Sequence, residues 1–119
     1  MNTDFTLSVI LPTLNEGKNL EILIPDLIKN LSSINDLQYE IVVVDDGSTD
    51  DTFKILNNKE FENNVVLINR KEKPSLPMSL YDGINISKYS HVAWLDADGS
   101  MPAHVLLEMV KLQMSNNLD

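Results

Sequence analysis

Strand-sized apolar runs and helical patterns alternate four times along this chain, and that order leaves few folds open to it. Leu7 to Leu11 reads as a first strand, stopped by Pro12. Leu20, Leu23, Ile24, Leu27, Ile28 and Leu31 then fall at helical spacing on one face. Pro25 sits inside that pattern without a backbone donor, which predicts a late helix start or a kink. Tyr39 to Val44 reads as an apolar strand of the kind buried on both faces of a parallel sheet. It runs into Asp45, Asp46 and a Gly–Ser–Thr turn, with a helix beginning near Asp50. Val65 to Ile68 is the third strand. Leu76, Leu80 and Ile84, with Tyr81 as a weaker member, mark a third helix, with Ser75 as its cap and Pro77 in its first turn. His91 to Leu95 is the fourth strand, with Trp94 in the core. The last helix opens near Pro102, is capped by Ser100, and buries Val105, Leu106, Met109 and Val110.

This order predicts one domain over residues 1–119. The expected architecture is a three-layer α/β/α fold on a mostly parallel, Rossmann-like sheet with right-handed crossovers. In open parallel sheets a ligand lies outside the carboxyl ends of the strands. Polar clusters stand at three of those ends: Pro12 to Glu16, Asp45 with Asp46, and Asp96 with Asp98. Two carboxylates two residues apart, followed by Gly99, can hold Mg²⁺ or Mn²⁺, and the cation can hold a diphosphate. Asp45 and Asp46 are adjacent and so point to different sides. One is expected to brace the loop, the other to accept hydrogen bonds from the pairing edge of uracil or guanine. Thr13, Leu14 and Glu16 are placed to meet a base or sugar, with a plain turn and helix start as the equal alternative.

Charge and composition remove several classes of partner. A net charge of −9 argues against nucleic acid as a partner, since its phosphates are bound by clustered Lys and Arg. Arg70, Lys71 and Lys73 are interrupted by Glu72 and read as a solvated loop. With no Cys, disulfides and thiolate metal sites are ruled out, and a reducing compartment is permitted. The N-terminus lacks the pattern of a signal peptide, and no apolar run is long enough to span a bilayer.

Three ordered segments carry a resemblance: SVILPTLNEGKNL, YEIVVVDDGSTDDT and VAWLDADGSMP. Together they are similar to the family 2 glycosyltransferases of the GT-A fold, and within them to dolichol-phosphate mannosyltransferase-like enzymes. The resemblance implies transfer of a sugar from a GDP- or UDP-sugar donor to a lipid-phosphate or glycan acceptor, with a divalent metal and inversion at the sugar. It implies that Pro12, Leu14, Glu16, Val44 and Asp46 line the nucleotide pocket. Asp96, Ala97 and Asp98 would form the metal and diphosphate site, with Ser100 contacting the donor. Arg70 stands where relatives carry an Arg, but Ser75 to Pro77 replaces their Gly-rich turn.

Relatives also continue into an acceptor-binding half that carries the catalytic base. The chain is therefore expected to be the nucleotide-binding portion, weakly active alone, from a cytoplasmic parent at the membrane face. An uncovered sheet edge is expected to drive self-association. Two other readings compete. A haloacid dehalogenase-type phosphatase would use Asp96 as nucleophile and Asp98 as acid/base. A phosphoacceptor receiver would gather the acidic pair and Asp96 around Mg²⁺.

Overall fold

The computed structural model describes residues 5–57, 61 and 64–116. Within them four strands and four helices alternate: β1 (Thr6–Thr13), α1 (Gly17–Leu31), β2 (Gln38–Asp45), α2 (Thr52–Asn57), β3 (Val65–Asn69), α3 (Leu76–Ile86), β4 (His91–Trp94) and α4 (Ala103–Asn116). The strands form one parallel sheet in the order β3-β2-β1-β4. The chain thus builds outward from β1 through β2 to β3, then returns to place β4 on the other side of β1. That return is the switch point at which open α/β sheets bind their ligands. The three-layer α/β/α expectation holds.

Side-chain alternation along the central strands separates two cores. Leu7, Val9, Leu11, Ile41 and Val43 face α1, α2 and α4, where they join Leu20, Ile24, Leu27, Leu56, Leu106 and Val110. Ile10, Val42 and Val44 face the other way, with Leu80 of α3 packed on them. Glu40 lies buried on that second face, where its Oε2 accepts from Ser8 Oγ at 2.6 Å and from the Lys88 N–H at 2.8 Å.

Pro12 does not stop β1, which pairs with β2 through Thr13. Pro12 ends the pairing with β4 instead. The Leu95 N–H donates to the Ile10 carbonyl at 3.1 Å, so Ile10 is the last residue of β1 to face β4. The next rung of a parallel ladder would need an N–H at Pro12, which has none.

Helix α1 runs unbroken through Pro25. Pro25 is on the exposed side, where water can serve the carbonyl its missing donor leaves. The expectation of a late start is not met.

Of the apolar residues whose spacing marked helix α3, only Leu80 packs inward. Leu76, Tyr81 and Ile84 are about half exposed, while Ser79 and Gly83 are buried. The reason is close approach: a Cβ on Gly83 would lie 2.7 Å from Ile10 Cγ2 and 3.2 Å from Val44 Cγ2. Small residues let the helix press onto β1 and β2. Trp94 is likewise not core, being 47% exposed, because α3 covers β1 and β2 and leaves the β4 edge open. Helix α4 buries Ala103, Leu106 and Val110, with Val105 half-buried and Met109 exposed. Ser100 lies three residues before its first residue and serves Asp98 rather than the helix end.

Candidate functional site

The loops after β1, β2, β3 and β4 share the C-terminal rim of the sheet, and hydrogen bonds lock the first two together. Asn15 adopts a left-handed conformation with φ of 58°, which Asn tolerates better than most residues. Its N–H donates to Ser48 Oγ at 2.9 Å, and its Oδ1 accepts from the Thr49 N–H at 2.9 Å. Ser48 Oγ in turn donates to Asp45, which also receives the Ser48 N–H at 3.4 Å. Asp45 is the brace of the adjacent pair. Asn15 as a loop clamp went unrecognised in the sequence, where a helix-start signal looked equally good.

Asp46 faces the α3 side. Its Oδ1 is paired with Arg70 Nη1, and its Oδ2 accepts the Ser75 N–H at 2.7 Å. Arg70 is buried, against the expectation of a solvated loop, and its Nε donates to Asp82 Oδ2 at 2.8 Å. The Asp82 hydrogen bond raises the Arg70 pKa above its ordinary value, with the Asp46 contact adding to it against the opposing effect of burial. Lys71 and Lys73 remain exposed.

Above this cluster lies a groove of about 260 Å³ walled by Pro12, Leu14, Pro74 and Leu76, with Asp46, Ser75 and Ser79 at its polar side. Apolar walls flanking a carboxylate suit a planar ring that carries N–H donors. Ser79 Oγ is buried there without a hydrogen-bond partner, an arrangement that costs about 1–3 kcal/mol unless something answers it.

Of the nucleotide-pocket residues expected from the sequence, Pro12, Leu14 and Asp46 come together in this groove. Glu16 does not. It lies in a neighbouring groove with Asn19 and Asp51, and its Oε2 accepts from Asn19 Nδ2 at 2.5 Å. Val44 is fully buried beneath the sheet face and Ala97 is buried in the larger core, so neither side chain reaches a ligand. Only their backbone atoms can contribute.

Asp96 and Asp98 are exposed after β4. Asp98 Oδ1 accepts the Ser100 N–H at 2.9 Å, and this bond, followed by one from the Ser100 hydroxyl, holds the Asp98 carboxyl below its usual pKa. It therefore stays ionised. Gly99 has φ of +80° and open space around it. Asp98 lines a groove of about 360 Å³ with Asn19, Ile22 and Asp26 of α1. Among the described residues no three His, Cys, Asp or Glu side chains form a ready-made cage. Two hard-oxygen carboxylates nonetheless fit Mg²⁺ or Mn²⁺, which commonly takes one or two carboxylates and completes its shell with phosphates and water. Asp46 and Asp98 line two different grooves. With the order β2-β1-β4, a ligand touching both must cross the end of β1, where Pro12 leaves the ladder open.

The model of the family described as glycosyl transferase family 2 matches residues 8–119. The chain belongs to this family. Among curated relatives, the family 2 chain is 36% identical over 101 residues to a dolichyl-phosphate beta-glucosyltransferase of Dictyostelium discoideum, covering 79% of this chain and 31% of that protein. It is 33% identical over 104 residues to a dolichol-phosphate mannosyltransferase of Pyrococcus furiosus, covering 87% and 29%. The chain thus spans about a third of the length of these relatives. Among solved structures, it superposes with a TM-score of 0.75 on the mannosyltransferase PcManGT of Pyrobaculum calidifontis, in complex with GDP-Man and Mn²⁺. Identity there is 26%, over 90% of this chain and 32% of that one. The S. aureus protein TarS, residues 1–349 with UDP-GlcNAc, shares the fold at a TM-score of 0.68, with 23% identity over 92% of this chain and 31% of that one. Neither the phosphatase nor the receiver reading is favoured. In particular, the acidic pair ends the second strand, not the first.

Proposed function

We propose that this family 2 chain binds the donor of a metal-dependent glycosyltransferase, which passes a sugar from a nucleoside-diphosphate sugar to a lipid-phosphate or glycan acceptor. The observation that carries the reading is the convergence of Pro12, Leu14 and Asp46 in one groove beside the switch point that Asp96 and Asp98 also flank. In this reading the groove takes the base, with Asp46 accepting its N–H. Asp96 and Asp98 hold Mg²⁺ or Mn²⁺ against the diphosphate, with Ala97 contributing backbone and Ser100 keeping Asp98 ionised and oriented. When bound, the metal supplies Lewis-acid stabilisation of the departing nucleoside diphosphate. Glu16 belongs to an outer position, reached only by the sugar or ribose end of the ligand. The Mn²⁺ and GDP-Man of PcManGT support the metal and donor class, and the names of the dolichyl-phosphate relatives support a lipid-phosphate acceptor. No helix among the described residues is long and apolar enough to cross a membrane. In this reading the parent protein meets such an acceptor at the cytoplasmic membrane face. The exposed β4 edge is read as a surface for self-association.

A thermal-shift and calorimetric panel of GDP, UDP and their sugars tests the assignment, run with and without Mn²⁺. Saturable binding of at least one nucleoside diphosphate, tightened by Mn²⁺, is expected. Absence of any binding under both conditions would sink it.

A further inference from the structure

We propose that Asp82 is a positioning residue that acts through Arg70 to set which nucleobase the Asp46 groove accepts. The proposal rests on the reading of that groove as the base site and adds to it a determinant of selectivity.

The argument begins with what Asp46 can still offer. Each of its oxygens already accepts one donor, from Arg70 and from the Ser75 N–H. A carboxylate has about four lone-pair sites, so acceptor capacity remains and no donor does. Set opposite the ring nitrogen of a planar heterocycle, it therefore favours uracil or guanine, where that nitrogen carries a hydrogen, and meets cytosine and adenine only through their exocyclic amino groups.

Arg70 threatens that selectivity. It carries five donors, and if its guanidinium took the place of Asp46 opposite the ring nitrogen it would pair with the bare nitrogen of cytosine or adenine instead. Asp82 prevents this by taking Nε at 2.8 Å, while the Lys73 carbonyl takes a longer contact from Nη1 at 3.4 Å. The Arg70 side chain is 3% exposed and that of Asp46 9%, whereas Asp82 is 31% exposed. Asp82 thus stands at the outer side of the cluster. One guanidinium divided between two carboxylates also leaves Asp46 with more negative charge than a simple pair would, which strengthens it as an acceptor.

Position is enforced by the helix. Asp82 is the only charged residue of α3, and its neighbour Gly83 is wedged against Ile10 and Val44. At the start of the same helix Ser75 caps Met78, so the donor to Asp46 and the holder of Arg70 belong to one rigid element.

The experiment is calorimetry of UDP, GDP and CDP with Mn²⁺ on the wild-type chain, Asp82→Asn and Arg70→Lys, with circular dichroism to confirm folding. Lys keeps the charge but cannot fork between two carboxylates. The wild type is expected to prefer UDP or GDP over CDP. Both variants are expected to narrow that preference about tenfold, the worth of one charge-assisted hydrogen bond, by weakening UDP or GDP while sparing CDP. Unchanged preference in Asp82→Asn overturns the proposal and leaves the base-site reading standing. A parallel loss for all three nucleotides also overturns it, since that is what a purely structural ion pair would produce. A wild-type chain that binds none of them overturns both readings.

Discussion

Asp98 combines two properties that a metal ligand needs: it is open to solvent, and Ser100 donors keep it ionised. Asp98→Asn retains the shape and the Ser100 N–H contact but removes the charge. The Mn²⁺ enhancement of nucleoside diphosphate binding is expected to vanish in calorimetry, with the melting temperature unchanged. Persistence of the enhancement would remove Asp98 from the metal site. Residue types were legible in the sequence at this scale because chemistry at strand ends follows from local pattern. Asp45 and Asp46 divide their duties as two adjacent strand-end residues must, one bracing Ser48 and the other facing the groove. Their partners were not legible. Arg70 meets Asp82 across twelve positions and Asp46 across twenty-four, and nothing local announces either pairing. Ser79 was hidden for a related reason, since a serine on a helix is ordinarily solvated.

Helix α3 carries the clearest test at the scale of elements. Gly83→Ala adds a methyl group at 2.7 Å from Ile10 Cγ2, inside a packed layer. Overpacking of this kind costs about 1–3 kcal/mol, and alanine's better helix propensity offsets about 1 kcal/mol. A net loss of about 1 kcal/mol is expected in urea denaturation, and a gain would show that the layer is loose. Apolar periodicity misread this helix because tight helix–sheet contact favours small residues, and the largest side chains are pushed to its flanks. The short α2 offers a second test. The Asp50 Oδ1 accepts the Thr52 N–H at 2.9 Å, and bonds from the Thr52 hydroxyl and N–H lower the Asp50 pKa. A carboxylate lowered by folding contributes above its ordinary pKa and loses that contribution as pH falls through the lowered value. Amide exchange over 52–57 should therefore be faster in Asp50→Ala at neutral pH. The difference from wild type should disappear on strong acidification.

At the scale of the whole molecule, the sheet order leaves β4 with a partner on one side only among the described residues, and Val92 and Trp94 lie exposed on its α3 face. An uncovered edge beside apolar side chains invites association. Sedimentation is expected to show concentration-dependent oligomers of the wild-type chain and a monomer for Trp94→Lys. A wild type that stays monomeric at high concentration would contradict this. The architecture itself was largely readable beforehand, because alternating strands and helices admit one parallel arrangement with few variants. Which faces end up bare was not, since that depends on how far α3 reaches across the sheet.

The imino nitrogen of Pro12 has an effect that outlasts any particular ligand. Two neighbouring parallel strands would ordinarily keep zipping until one turned away, and the fissure between them would open or shut with temperature and solvent. Here the missing hydrogen is a matter of covalent structure, so β1 and β4 must part at the same rung in every copy of the protein. The crevice is a fixture of the chain, open before anything arrives to fill it.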